Sequence, residues 1–117
     1  MKKLLNKRAL VTGGARGIGA AIAAAFVREG AHVVIADIDQ EEGAATADAL
    51  GASFFPMDVS HETGWQVLAA VHPVMDIVVN NAGITGFEDG PAPHDPEHAS
   101  LEDWRRVHAV NLDGVFM

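Results

Sequence analysis

Cysteine and tyrosine are both absent from the 117-residue sequence. Without cysteine, a disulfide framework, a thiol nucleophile and a cysteine-ligated metal centre are excluded, and a cytoplasmic location is the expectation. Lysine occurs only as Lys2, Lys3 and Lys7. A mechanism that uses a tyrosine or a lysine from the middle of the chain therefore cannot be carried by this polypeptide alone.

Long hydrophobic runs and an excess of positive charge are missing as well. The longest uninterrupted apolar run, residues 20–27, is far shorter than the ~20 residues that cross a bilayer. The first residues contain no hydrophobic stretch as long as that of a signal peptide. The formal net charge of −8 disfavours nucleic acid, because that binding depends on lysine and arginine. We expect neither a membrane partner nor a nucleic-acid partner.

Apolar runs alternate with alanine-rich helical patterns along the first 80 residues. Strands are predicted over residues 8–12, 32–36, 53–57 and 77–79, and helices over residues 17–28, 41–50 and from an N-cap at Ser60 to Pro73. The strands are continuously apolar, as in strands covered on both faces. This order predicts an α/β fold, a doubly wound parallel sheet in a three-layer α/β/α arrangement with right-handed crossovers.

The last 30 residues have a different character. Residues 86–99 have no periodicity and predict a loop, while Ser100 and Asp103 predict the start of a helix through a capping box. The sequence ends at Met117 within an apolar stretch, which we interpret as a sheet that is incomplete at its C-terminus.

The first strand ends in the glycine-rich segment Thr12-Gly13-Gly14-Ala15-Arg16-Gly17-Ile18-Gly19. Glycines permit positive φ and close backbone approach, and the start of the next helix presents free N–H groups and a positive dipole to an anion. The segment is therefore a candidate pyrophosphate site, although a plain strand-to-helix turn would have a similar pattern. No Gly-Lys-Ser/Thr follows, which excludes a Walker loop.

Asp37 closes the second strand eighteen residues after Gly19, near the offset at which an acid meets the adenosine ribose of a dinucleotide. A carboxylate at that place accepts the two ribose hydroxyls and repels a 2′-phosphate. Arg16 argues in the other direction, because a guanidinium in the glycine turn could pair with that phosphate. Asp37 is nearer the expected ribose position, so NAD is predicted rather than NADP.

The chain carries five motifs in one order: Thr12-Gly13-x-x-x-Gly17-Ile18-Gly19, Asp37, Asp58-Val59, Asn80-Asn81-Ala82-Gly83 and Asn111. Together they resemble the N-terminal, cofactor-binding half of the short-chain dehydrogenase/reductase family, over essentially the whole chain. The resemblance implies a Rossmann-type domain over residues 1–117, with the catalytic half of the protein outside the sequence. It also implies adenine contacts at Asp58 and Val59 and a cofactor lining from Asn81, Ala82 and Gly83. Asn80 and its neighbours would brace the central strands. The complete set of predicted cofactor-binding residues is Gly13, Arg16, Gly17, Ile18, Gly19, Asp37, Asp58, Val59, Asn81, Ala82 and Gly83.

The resemblance further implies that the parent protein transfers a hydride between a nicotinamide cofactor and a secondary alcohol or ketone. Asn111 matches the family's asparagine, which holds a water in the proton relay. The family's serine and Tyr-x-x-x-Lys pair come after that asparagine and are absent from this sequence. The segment alone is therefore expected to be inactive, and the parent is expected to be a homodimer or homotetramer.

The residues alone leave three alternative functions to consider. A non-catalytic NAD-binding sensor or a degenerate fragment would also lack the tyrosine and the distal lysine. A methyltransferase could use the same strand-end acid, but the stretch from Asn80 to Gly83 has no role there. His94 and His98 could bind a metal if they were helical, but Pro96 lies between them and obstructs that geometry; no metal site is predicted.

Overall fold

The computed structural model describes residues 2–84, 97–98 and 100–117. Four strands alternate with helices in the order that the sequence predicts. Their bounds are β1 Arg8–Thr12, α1 Gly17–Arg28, β2 His32–Asp37, α2 Gln40–Leu50, β3 Ser53–Pro56, α3 Glu62–Val71, β4 Ile77–Val79 and α4 Leu101–His108, followed by a π-helical turn over Ala109–Asp113 and a last helical turn, α5, over Gly114–Phe116.

The four strands form one parallel sheet in the order β3-β2-β1-β4. In the register of the central pair, Leu10 lies beside Val34 and Thr12 beside Ala36, while Val11 also lies beside Val79 of β4. Strands β2 and β3 are added on one side of β1 and β4 on the other, so the strand order reverses between β1 and β4, and the crevice of this topology opens above the carboxyl ends of those two strands. The predicted doubly wound parallel fold is confirmed.

Each central strand buries side chains on both faces of the sheet, which explains its unbroken apolar sequence. On one face, Val11 and Ile35 pack with Ala23 of α1 and with α2, and Ile35 is completely buried. On the other face, Leu10 and Val34 pack with Leu68 of α3. The sheet is thus covered by helices on both sides, in the three layers that the sequence predicts.

Helix starts differ in detail from the sequence prediction. The N-cap of α3 is His61 and not Ser60, because Ser60 belongs to the preceding turn, where its hydroxyl and its N–H both donate to the carboxylate of Asp58. Helix α2 begins one residue early, at Gln40, because Asp39 supplies its cap by accepting a hydrogen bond from the Glu42 N–H at 3.0 Å. The predicted cap of α4 is confirmed, since Ser100 Oγ accepts from the Asp103 N–H at 3.0 Å.

One predicted segment is largely outside this description. Most of the predicted loop 86–99, including His94 to Pro96, lies outside the described residues. Within the described ranges, every helix is too short or too polar to cross a membrane.

Candidate functional site

The turn between β1 and α1 leaves an open approach to the first N–H groups of the helix. Gly17 has φ +60°, and a Cβ added there would meet no atom within 4 Å. Arg16 occupies the N-cap with extended backbone, and among the described residues no side chain caps α1 and no acidic residue lies in its first turn. These features leave the positive end of the helix dipole accessible to an anion.

Thr12 connects this turn to the segment that follows β4. Its side chain is buried, with Oγ1 donating to the Val79 carbonyl at 3.3 Å and accepting from the N–H groups of Asn81 and Ala82, both at 3.1 Å. The Asn81 amide then donates to the Gly13 carbonyl at 3.1 Å. The bracing expected of Asn80 and its neighbours is thus carried out by the side chains of Thr12 and Asn81.

We refer to the hydrogen bonds of Thr12 with Val79, Asn81 and Ala82, together with the bond from Asn81 to Gly13, as the bracket. Gly19 packs directly against it, and this packing explains the third glycine of the motif. A Cβ at this position would collide with the Gly13 carbonyl oxygen and come within 2.6 Å of Asn81 Nδ2. Gly19 is also buried. The third glycine is therefore required for close packing between α1 and the turn, and its contact with a ligand remains a prediction.

Asp37 stands at the end of β2 with both carboxylate oxygens engaged by backbone. Oδ2 accepts from the Ala15 N–H at 3.1 Å, and Oδ1 accepts from the Asp39 N–H at 3.0 Å. An ionised carboxylate offers about four lone-pair positions, so each oxygen retains capacity for a further donor. The structure consequently holds Asp37 in one orientation beside the glycine turn while leaving acceptor positions available.

Asp39, which the sequence analysis did not select, forms an ion pair with the Arg16 guanidinium through Oδ2. The hydrogen bond from the Glu42 N–H lowers the pKa of Asp39. Desolvation opposes this effect, and the hydrogen bond and the charge of Arg16 lower the pKa further. The sequence signal was available, because Asp39 is followed by the acidic first turn of a helix and therefore suits an N-cap. The ion pair itself joins residues 23 positions apart and could not be read from spacing.

Asp58 lies at the end of β3 and is partly buried. Burial raises the pKa of its carboxyl, but Ser60 donates two hydrogen bonds to Oδ1, from its hydroxyl at 2.6 Å and its backbone N–H at 2.9 Å. Together with the nearby His61, these donors hold the pKa below its ordinary value. Asp58 is thus ionised at neutral pH, and both of its Ser60 hydrogen bonds fix its position.

A cleft of about 380 Å³ lies above the carboxyl ends of the strands and gathers most of the predicted residues. We refer to it as the carboxyl-edge cleft. It is lined by Gly13, Arg16, Ala36, Asp37, Ile38, Asp39, Met57, Asp58, Val59, Asn81, Ala82, Gly83, Ile84 and Val110. Of the predicted cofactor-binding residues, Gly17, Ile18 and Gly19 lie outside this lining, at the start of α1. Ile38, Ile84 and Val110 are apolar additions that the sequence analysis missed.

Asn111 lies in the π-helical turn and not in the lining of the carboxyl-edge cleft. Its side-chain amide forms two hydrogen bonds with the backbone of Ile84, donating from Nδ2 to the carbonyl and accepting at Oδ1 from the N–H, both at 2.8 Å. Asn111 thereby fixes Ile84, which does line the cleft. Its expected role in a proton relay remains a prediction.

A smaller cavity of about 220 Å³ lies at the opposite, amino-terminal edge of the sheet, beside Arg8, His32 and His72, and contains no predicted site residue. No group of three or more histidine or acidic residues within the described ranges could hold a metal ion.

A parallel sheet in this strand order, with a glycine turn and an acid at the cleft, defines a Rossmann-type nucleotide-binding domain. The family described as "short chain dehydrogenase" matches residues 7–117. The chain therefore belongs to the short-chain dehydrogenase/reductase family of oxidoreductases, whose members bind a nicotinamide cofactor.

Three similar proteins illustrate the range of this family. The chain is 43% identical to momilactone A synthase of Oryza sativa subsp. japonica over 125 residues, covering 99% of this chain and 43% of that protein. It is 42% identical to the NADP-dependent (R)-specific alcohol dehydrogenase of Lentilactobacillus kefiri, covering 97% and 46%. The crystal structure of a 3-oxoacyl-[acyl-carrier protein] reductase with bound NAD from Brucella melitensis superposes with a TM-score of 0.87 at 38% identity, covering 96% and 45%.

The chain thus spans less than half the length of these relatives. One is described as NADP-dependent and another as binding NAD, so family membership does not decide which of the two this chain prefers.

The buried hydroxyl of Thr12 provides a test of the bracket between β1 and the segment after β4. Thr12→Val keeps the shape but removes the acceptor of the Ala82 N–H and one of the two acceptors of the Asn81 N–H, which retains the Val79 carbonyl at 3.1 Å. We expect the free energy of unfolding to fall by about 2–3 kcal/mol, measured by urea denaturation. Thr63→Val, at an exposed position of α3, is the matched control and should change stability by less than about 0.5 kcal/mol. Equal effects of the two substitutions would contradict the bracket.

The lowered pKa of Asp58 gives a pH-dependent test. We expect Ser60→Ala to raise the pKa of this carboxyl, because it removes the hydroxyl that favours the charged form. A carboxyl with a lowered pKa stabilises the fold above its unfolded pKa, and that contribution is lost as the pH falls through the folded pKa. The stability difference between wild type and variant should therefore be largest near neutral pH and shrink in acid. An NMR titration of the Asp58 carboxyl that is identical in both proteins would contradict this account.

Proposed function

We propose that this chain forms the coenzyme-binding part of an NAD(H)-dependent oxidoreductase that interconverts a secondary alcohol and a ketone. The observation that carries the proposal is the fixed carboxylate of Asp37 at the carboxyl-edge cleft. Each of its oxygens retains an acceptor position, which matches the two adjacent hydroxyls of an adenosine ribose.

The glycine turn fits the diphosphate of the same cofactor. The diphosphate would lie in the open space above Gly17, where the backbone N–H groups at the uncapped start of α1 would donate to it. Gly13 and Ile18, at the two ends of the glycine segment, would contribute to the same site. Since no acidic side chain lies in the first turn of α1, nothing in that turn opposes an anion. The diphosphate site and the ribose site are adjacent because Asp37 is hydrogen-bonded to Ala15 of the turn.

The remaining lining suits the two ends of the dinucleotide. Asp58 and Val59 lie at the end of β3 and would contact the adenine edge, as the family resemblance implies. Asn81, Ala82 and Gly83 follow β4 and would line the cofactor toward the nicotinamide. Each of these roles is the one that the matching residue has in the family's motif.

The preference for NAD over NADP follows from charge. Three carboxylates, those of Asp37, Asp39 and Asp58, line the carboxyl-edge cleft, whereas Arg16 is its one cation among the described residues. A 2′-phosphate placed beside Asp37 would meet a like charge, and like charges in close contact are unfavourable. The hydroxyls of NAD instead donate to the same carboxylate.

When bound, the nicotinamide supplies the hydride chemistry, and the protein has to supply a general acid/base. The sequence contains no tyrosine, so the family's Tyr-x-x-x-Lys pair would have to come from outside residues 1–117. Asn111 would belong to the proton relay, positioned through its hydrogen bonds to Ile84. A small alcohol or ketone substrate and a homodimeric or homotetrameric assembly belong to the same proposal.

Removing the charge of Asp37 tests the cofactor assignment. In the full-length protein that contains this chain, we expect Asp37→Asn to weaken NADH binding by about tenfold or more, because a hydrogen bond to a charged group contributes about 1.5–3 kcal/mol. NADPH binding should weaken less, since the repulsion of the 2′-phosphate is also reduced. Isothermal titration calorimetry measures both affinities.

Asp48→Asn, on the exposed side of α2, is the control for a change of net charge and should leave both affinities within about twofold of wild type. Circular dichroism melts of each variant establish that the fold persists. Wild-type protein that binds NADPH more tightly than NADH would overturn the assignment to NAD.

The reaction itself is tested by turnover of the full-length protein. With NAD and a panel of secondary alcohols, or NADH and the matching ketones, we expect interconversion of oxidised and reduced nicotinamide at a rate that depends on substrate. The absorbance of the reduced nicotinamide follows the reaction. Tight NADH binding without turnover on any alcohol or ketone would instead favour a non-catalytic NAD sensor.

A further inference from the structure

Asp39 makes three contacts at the mouth of the carboxyl-edge cleft. Its Oδ1 caps α2 by accepting from the Glu42 N–H at 3.0 Å, and its backbone N–H donates to Asp37 Oδ1, also at 3.0 Å. Its Oδ2 pairs with the guanidinium of Arg16. One residue therefore joins the acid that would hold the ribose, the cation of the glycine turn and the start of the next helix.

The ion pair matters because Arg16 is the one cation among the described residues that line this cleft. A 2′-phosphate bound beside Asp37 would need a nearby cation to offset the carboxylate, and a guanidinium in this turn is well suited to that task. In the structure, however, this guanidinium is directed to Asp39. Asp39 also adds a second negative charge next to the place where the phosphate would lie.

We propose that Asp39 is a specificity-determining residue that holds Arg16 in an ion pair and thereby withholds it from the 2′-phosphate of NADP. This inference rests on the proposed function, because it assumes that the adenosine ribose lies beside Asp37. The proposal that Asp37 alone selects NAD is thereby extended. Two carboxylates, those of Asp37 and Asp39, set the preference, and Arg16 would bind a 2′-phosphate only if Asp39 released it.

The ion pair between Arg16 and Asp39 is exposed enough to be broken without unfolding the protein. The side chains of Arg16 and Asp39 are 63% and 39% exposed, and exposed ion pairs contribute little to folding stability. Breaking the pair is therefore compatible with an intact fold, provided that the cap of α2 is kept. Arg16 has further N–H donors besides the one that meets Asp39, so the discrimination comes from the charge and the orientation that Asp39 imposes.

Asp39→Asn separates the ion pair from the cap, because asparagine is an equally good N-cap residue but carries no charge. The probes are 5′-AMP and 2′,5′-ADP, which differ only in the 2′-phosphate and do not involve the nicotinamide. Calorimetry on the full-length protein at low ionic strength gives the ratio of their dissociation constants. We expect Asp39→Asn to shift this ratio toward 2′,5′-ADP by about tenfold.

Two further variants define the cause of that shift. Adding Arg16→Gln to Asp39→Asn should abolish the shift, because the released guanidinium is then missing. Glu41→Gln removes an equal charge from the first turn of α2 without touching the ion pair and should change the ratio by less than about twofold. If Asp39→Asn impairs folding, Asp39→Ser retains a capping oxygen and serves the same purpose.

The outcomes separate this inference from the proposed function. Wild-type protein that binds neither 5′-AMP nor NADH would defeat the proposed function. Normal 5′-AMP binding with an unchanged ratio in Asp39→Asn would overturn the role of Asp39 and leave the NAD assignment intact. A shift that persists after Arg16→Gln would also overturn it, because the gain would then not come from the released guanidinium.

Discussion

The carboxylate of Asp37 holds together the part of the structure on which the site depends. It accepts hydrogen bonds from Ala15 in the turn after β1 and from Asp39 in the turn after β2, so two adjacent strand ends are joined through one side chain. A negative charge on that side chain strengthens both bonds. The same charge would accept the ribose hydroxyls in the proposed function. One carboxylate therefore both fixes the shape of the turn and provides the proposed ligand contact.

A second connection, through Thr12, ties β1 to the segment after β4 and fixes Asn81 and Ala82, which line the cleft. The hydroxyl acts as donor to Val79 and as acceptor to Asn81 and Ala82, which a purely apolar residue at the end of a buried strand could not do. Because Gly19 packs against the same bracket, the start of α1 is positioned relative to β4 as well as to β1. The diphosphate region is consequently built on buried, hydrogen-bonded backbone and is not an isolated loop.

Much of this arrangement could be predicted from local sequence. The unbroken apolar runs at β1 and β2, the glycines after β1 and the N-cap at Ser100 each depend on neighbouring residues only, and each is found where it was expected. The start of α3 was not, because Ser60 donates its hydroxyl to Asp58 in the preceding turn and His61 takes the N-cap position. Local sequence does not distinguish a serine that caps a helix from one that donates to a preceding aspartate, because both are short-range hydrogen bonds of similar free energy.

The sequence by itself determined that the chain alternates strands and helices, that the sheet is parallel and that acids and glycines collect at its carboxyl edge. Those properties follow from hydrophobic periodicity and from the geometry of parallel strands, which bring every strand's carboxyl end to the same side. Only the tertiary structure decided that Arg16 pairs with Asp39 and that the Asn111 amide is bonded to Ile84. Both contacts join residues more than twenty positions apart, and such pairings depend on how the elements pack and not on any spacing along the chain.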